Sequence, residues 1–263
     1  MSTLCITNQK GGVGKTTTAI SLGAALAQAG SRVLIVDLDP QGNATSGLGI
    51  RRNELERGVY GVLLEDQPIE AAAMPTSVEG LDLLPSTQEM AGAEVELVPA
   101  LAREYRLRSA LEKAARYDIV LVDCPPSLGL LTINALAAAD AVLVPVQCEY
   151  YALEGLAQLM STIDAVKRRL NPALEVLAII LTMADARNRL SMQVIEEVHR
   201  HFPELVARVR IPRTVRLAEA PSHGLPIATY DAQSRGAQAY ADLAQELSAR
   251  LAGRSPIALG ATS

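Results

Sequence analysis

The chain has almost no aromatic residues: no tryptophan, one phenylalanine and seven tyrosines among 263 residues. Its core must therefore be built from alanine, leucine, valine and isoleucine. Hydrophobic residues make up 49% and charged residues 20%, which excludes a disordered chain. Cysteine is scarce too. Cys5, Cys124 and Cys148 have no paired spacing, which argues against a disulfide framework and predicts reduced thiols in or beside the core. Long apolar runs are absent. The segment Val176 to Leu181 is far too short to span a bilayer. No basic segment followed by an apolar one opens the chain, so no secretory signal is expected, and a reducing cytoplasm is the expected compartment. Positive charge is not in excess: the net charge is -5, so there is no global nucleic-acid footprint. The balance is uneven. Residues 1–150 hold 11 Lys/Arg against 18 Asp/Glu, whereas residues 151–220 hold 10 against 8. Any DNA contact must be local and lie in that second zone.

Glycine, by contrast, is concentrated where it matters. Gln9-Lys10-Gly11-Gly12-Val13-Gly14-Lys15-Thr16-Thr17 follows the apolar run Leu4-Cys5-Ile6 and opens a segment that reads as helix, Thr16 to Ala29. Strand, glycine-rich turn and helix make a phosphate cradle. Freed backbone N–H groups, the helix N-terminus and a lysine converge on one anion. The usual pattern is Gly-x-x-x-x-Gly-Lys-Ser/Thr. Here Gln9 replaces the first glycine and a second lysine, Lys10, stands inside the loop.

Along the chain, strands are expected at Leu4 to Thr7, Arg32 to Asp37, Leu81 to Pro85, Tyr117 to Asp123, Ala141 to Pro145, Leu174 to Thr182 and Val206 to Ile211. Several are apolar on both faces, as parallel strands covered by helices are. Helices are expected at Val59 to Leu64, Pro99 to Arg116, Tyr151 to Leu170, Leu190 to His201 and Arg235 to Leu251. The alternation predicts a single doubly wound α/β domain, a mostly parallel sheet flanked by helices. It should cover residues 1–252, with a short frayed tail at 253–263.

Lys15 is the lysine expected at the β- and γ-phosphates. Thr16 offers its hydroxyl to Mg²⁺, and Gly11, Gly12 and Gly14 allow close backbone approach. Val120-Leu121-Val122-Asp123 is an apolar strand ending in a carboxylate that reaches Mg²⁺ directly or through its water. Asp37 and Asp39 leave the neighbouring strand. Asp39, further out, is expected to reach the γ-phosphate or its attacking water, while Asp37 either joins it or braces the loop. Thr16, Asp39 and Asp123 form the expected Mg²⁺ set. A second lysine beside one triphosphate would repel Lys15 in the empty site. Lys10 makes physical sense if it neutralises phosphate in another subunit, as an arginine finger does in trans.

Lys10 to Thr17 resembles the deviant Walker A motif of the ParA/MinD family of P-loop NTPases. Asp37 to Thr45, Glu149 to Gly155 and Ile211 to Ser222 resemble its ParA/Soj branch, so the likeness runs from Leu4 to about Leu251. That resemblance implies a weak ATPase of DNA segregation, cytoplasmic and nucleoid-associated, using ATP and Mg²⁺. It implies a homodimer around two ATP molecules, with Lys10 reaching across and Asp39 needed for hydrolysis. Lys10, Gly11, Gly12, Val13, Gly14, Lys15, Thr16 and Thr17 would contact the nucleotide, joined by Pro212 and Arg213. The ATP-bound dimer would bind double-stranded DNA without sequence preference, through Arg187, Arg189, Arg213 and Arg216. A ParB-like centromere-binding partner would stimulate hydrolysis and release it. Three alternatives remain: a MinD-type membrane cycle, an iron–sulfur relative, and a nucleotide-gated regulator of replication initiation. The C-terminal segment Ser255 to Gly260 lacks the basic amphipathic pattern a membrane anchor needs, and the cysteines suit a cluster poorly. No N-terminal helix-turn-helix is expected, because the phosphate loop begins within ten residues of Met1.

Overall fold

The computed structural model describes residues 1–114, 116–149 and 152–253. The expected tail at 253–263 lies outside them except for Gly253. Seven strands occur in chain order: β1 (Ser2–Ile6), β2 (Val33–Asp37), β3 (Met74–Pro75), β4 (Leu81–Leu84), β5 (Ile119–Asp123), β6 (Ala141–Gln147) and β7 (Glu175–Thr182). They form one sheet in the order β3-β4-β2-β5-β1-β6-β7. Every neighbouring pair is parallel except β3 with β4. The helices are α1 (Lys15–Gln28), α2 (Asn43–Gly47), α3 (Val59–Leu64), α4 (Ile69–Ala72), α5 (Met90–Leu97), α6 (Arg106–Leu111), α7 (Leu130–Ala138), α8 (Ala152–Arg169), α9 (Arg189–His201), α10 (Val215–Glu219), α11 (Ile227–Tyr230) and α12 (Arg235–Ala252).

The two-residue period of the strands sorts their side chains into two cores. Leu4 and Ile6, Val33 and Ile35, and Leu81 and Leu83 pack under α1 and α12, where Tyr240 and Leu243 are fully enclosed. Cys5, Leu34 and Val36, with Val120 and Val122, face the opposite layer built from α3, α5, α6, α7 and α8. Both faces are therefore apolar, as the unbroken apolar runs required. The three cysteines are free thiols buried in this core.

Two expectations need correction. A single helix from Pro99 to Arg116 is not formed; α5 ends at Leu97, before that stretch, and only the short α6 lies within it, with turns on either side. The chain breaks at Ala102, which adopts a left-handed φ of 51°. The Asn134 side chain from α7 then takes over the local backbone, donating to Arg103 O at 2.7 Å and accepting from Leu107 N–H at 3.2 Å. The expected strand Val206 to Ile211 is reduced to isolated parallel bridges, Ile179 with Val206 and Ala184 with Pro212. Between them the N–H groups of Arg208 and Val209 donate to the Glu246 carboxylate at 3.0 and 3.1 Å, so no ladder continues. Helix α7 has no counterpart among the expected helices. Leu131, Thr132 and Asn134 to Ala137 are all buried, so it has no polar face to give a 3.6-residue signal.

Strand β1 lies between β5 and β6. The chain leaves β1 through α1 for β2 on one side, and leaves β5 through α7 for β6 on the other. Successive connections part at the C-terminal end of β1, which opens the crevice where such sheets take ligands.

Candidate nucleotide site

The loop between β1 and α1 sits at that crevice. Gly12 and Gly14 hold φ values of 75° and 91°, a left-handed backbone that other residues adopt with strain. Gly14 is the N-cap of α1 and supplies no side-chain cap. The first N–H groups of a 14-residue helix thus face the cleft with about half a positive charge behind them. Val13 contributes backbone only. Its side chain is buried, and its carbonyl accepts the Thr182 hydroxyl at 2.8 Å, which ties the loop to β7. Lys15 is buried, with its Nζ donating to Lys10 O at 3.2 Å. Burial lowers its pKa, and the carboxylates of Asp123 and Asp39 oppose that shift, as does Cys124.

Asp123 ends β5 beneath the loop. Both of its oxygens are enclosed and lack a hydrogen bond of good geometry, although the Thr16 hydroxyl is close enough to favour the charged form. Burial raises its pKa well above the usual carboxylate range, and nearby Asp37 raises it further. A buried carboxylate without a partner is costly unless a cation joins it. Asp123 and Thr16 therefore fit Mg²⁺. Asp37 proves to be the brace. Its Oδ2 accepts both the N–H and the hydroxyl of Thr45, at 2.8 and 2.6 Å, and its Oδ1 accepts Asp39 N–H at 3.3 Å. Desolvation raises its pKa to about 6 despite those bonds. Asp39 lines the open cleft of about 600 Å³ together with Gly11, Gly12, Lys15 and Thr16. Its Oδ1 accepts Gln41 N–H at 2.9 Å.

A model described as an AAA domain matches residues 1–176. The sporulation initiation inhibitor protein Soj of Bacillus subtilis is 58% identical over 94% of this chain and 98% of its own length. The chromosome partitioning protein ParA of Myxococcus xanthus is 56% identical over 96% and 90%. The chain belongs to the Soj/ParA family. Among solved structures, the cobyrinic acid a,c-diamide synthase of Mycobacterium smegmatis, with bound ATP analogue and magnesium, superposes with a TM-score of 0.85. It is 42% identical and covers 96% of both chains.

The remaining positions expected of a Soj/ParA protein fall into three groups. Lys10 stands at the rim, where its Nζ pairs with Glu149 at 3.0 Å and about two-fifths of its side chain is exposed. Pro212 and Arg213 line a second, mostly apolar cavity of about 230 Å³ with Leu217 and Tyr240. Gly14, Thr17 and Met183 border both cavities, so the two adjoin across the loop. The four arginines are all exposed, on the β7–α9 loop and α9 and on the segment leading into α10. The bridge between Ala184 and Pro212 joins these two segments. Arg187 is paired with Asp185, and Arg216 with Glu219 and Asp231. Arg189 and Arg213 have no ion pair among the described residues. Sequence reasoning missed Met183, which holds a left-handed φ of 53° at the wall between the cavities. A methionine in that conformation has no sequence signal.

Proposed function

We propose that this protein is a ParA-type DNA-segregation ATPase, whose ATP-bound homodimer binds DNA and whose hydrolysis releases it. One observation carries the reading. Lys15 and Asp39 line a single cleft, Asp123 lies buried behind it within electrostatic reach of Lys15, and the second lysine of the loop stays outside it.

In this reading the triphosphate lies along the N-terminus of α1, with Lys15 against its β- and γ-phosphates. The apolar cavity beside Pro212 takes the base. Thr16 and Asp123 would hold Mg²⁺, with Asp39 near it. When bound, the ion neutralises charge on the phosphate oxygens. Asp39 orients the attacking water and accepts its proton as the bond from the β–γ bridging oxygen to the γ-phosphorus breaks. Lys10, leaving Glu149, completes the neutralisation across the dimer interface, so ATP acts as the signal for dimerisation. A dimer doubles the arginine patch, which explains how an acidic protein binds DNA only when assembled. A ParB-like partner stimulates the turnover, and the protein cycles on the nucleoid. No described helix is long and apolar enough to cross a membrane.

Size-exclusion chromatography of Asp39→Ala tests this reading. With ATP it should elute as a dimer, and with random-sequence DNA as a complex, while hydrolysis falls about a hundredfold. Charge reversal at Arg189 and Arg216 in that background should remove the complex and spare the dimer. A variant that hydrolyses ATP at the parental rate would show that Asp39 is the wrong carboxylate.

A further inference from the structure

The segment bearing Asp39 is a turn between β2 and α2, closed by bonds from Gly42 N–H to Asp39 O at 2.8 Å and from Gln41 N–H to Asp39 Oδ1 at 2.9 Å. Arg52, ten residues beyond Gly42, ties that turn to a second loop. The Arg52 guanidinium donates to four backbone carbonyls: Pro40 O and Gln41 O at 2.8 Å, Ser86 O at 2.9 Å and Thr87 O at 2.7 Å. Two of these follow Asp39 directly, and two lie on the loop after β4. A planar fork with fixed N–H directions suits such a task, since each bond constrains the others. The two loops are joined again at Ser86. Its hydroxyl donates to Asp39 O at 2.8 Å, and its N–H to the Thr45 hydroxyl at 2.9 Å, which in turn braces Asp37. Arg52 makes no ion pair with a carboxylate among the described residues, and it does not line the cleft. A Cβ at Gly42 would collide with its Nε, so the guanidinium fills the space this glycine leaves.

We propose that Arg52 is a positioning residue for hydrolysis. It clamps the Asp39 turn against the β4 loop and so holds the Asp39 carboxylate at the γ-phosphate, without contributing to ATP binding. The inference rests on the reading of Asp39 as the carboxylate of hydrolysis.

Steady-state ATP hydrolysis and thermal unfolding of Arg52→Gln, Arg52→Lys and Gly42→Ala test it, with Asp39→Ala in parallel. Misplacement of a reacting group by about 1 Å costs on the order of a hundredfold in rate. Arg52→Gln should therefore lose about ten- to a hundredfold in kcat, with the KM for ATP moved by less than about twofold. Arg52→Lys should recover part of that loss, because an ammonium keeps the charge but not the fork. Gly42→Ala should copy the loss, because a Cβ there collides with the guanidinium and the left-handed φ of 65° strains the same turn. It also serves, with Arg52→Lys, if Arg52→Gln does not fold. A purely structural role would lower the melting temperature and leave kcat untouched in whatever fraction folds. If Asp39→Ala is inactive while folded Arg52 and Gly42 variants turn over at the parental kcat, the clamp is refuted and the Asp39 reading stands. If Asp39→Ala keeps the parental rate, both are refuted.

Discussion

Asp123, in the proposed reading a carboxylate for Mg²⁺, is a costly residue for the fold to enclose. Its carboxylate is fully enclosed, has no well-formed hydrogen bond, and faces a lysine whose own pKa is lowered by burial. A neutral amide in its place should stabilise the empty protein, because burial opposes the ionised carboxylate more than Lys15 favours it. Asp123→Asn is accordingly expected to melt at a higher temperature without nucleotide. It should also lose at least about tenfold in Mg²⁺-dependent ATP hydrolysis. Calorimetry of the empty variant and a Mg²⁺ titration of its activity check the two halves. A variant that melts lower and hydrolyses ATP normally would assign Asp123 a structural role instead. Asp37, two strands away from β1, is the contrasting case. Both residues are acids at the end of an apolar strand, and their sequence contexts look alike. Thr45 satisfies one and nothing comparable satisfies the other.

At the scale of elements, the site depends on β2 and β5 lying side by side, since together they carry Asp37, Asp39 and Asp123. Arg32 and Asp118 set that register at the far end. The Arg32 N–H, Nε and Nη2 all donate to the Asp118 carboxylate, at 2.9, 3.1 and 2.8 Å, and Asp118 N–H returns a bond to Arg32 O at 2.8 Å. The side-chain bonds from Arg32, then its backbone N–H, pull the Asp118 pKa from 3.8 down to about 2. A carboxylate depressed in the folded state adds stability that is complete above its unfolded pKa and lost as pH falls through the folded one. Asp118→Asn should therefore lower the melting temperature slightly at pH 7. Its deficit against the parent should hold down to about pH 4 and shrink towards pH 2. A deficit independent of pH would mean that shape, not charge, matters here. Helices α5 and α7 belong to this scale too. Glu94 of α5 packs so closely on Gly129, the N-cap of α7, that a side chain there would collide with its carboxylate.

For the whole molecule the question is what ATP assembles. In the single chain Lys10 rests on Glu149, an exposed pair of the kind worth little, so it can be exchanged for a phosphate without much loss. If Lys10 acts in trans as proposed, Lys10→Ala should bind ATP within about threefold of the parent yet fail to dimerise on it. Equilibrium ATP titration and analytical ultracentrifugation separate the two effects. A variant that dimerises normally on ATP would remove the trans role.

The chain by itself determined the phosphate cradle, the order of most strands and helices, the two-faced burial of the sheet and the pair of lysines in one loop. These are local properties: glycine spacing, apolar runs, and a change of period from two to 3.6. The ends of β2, β5 and α12 could be read to within a residue or two for the same reason. Tertiary structure alone decided which carboxylate is braced and which is left without a partner, since that turns on whether Thr45 folds back onto Asp37. It also decided that Val206 to Ile211 would not form a continuous strand, because Glu246 from α12 captures the N–H groups of Arg208 and Val209. It broke the helix expected after Pro99 through Asn134 of α7. It brought Arg52 to four carbonyls from two loops. In each case the deciding hydrogen bond joins residues eight or more positions apart, and the pattern along a chain carries no record of such partners.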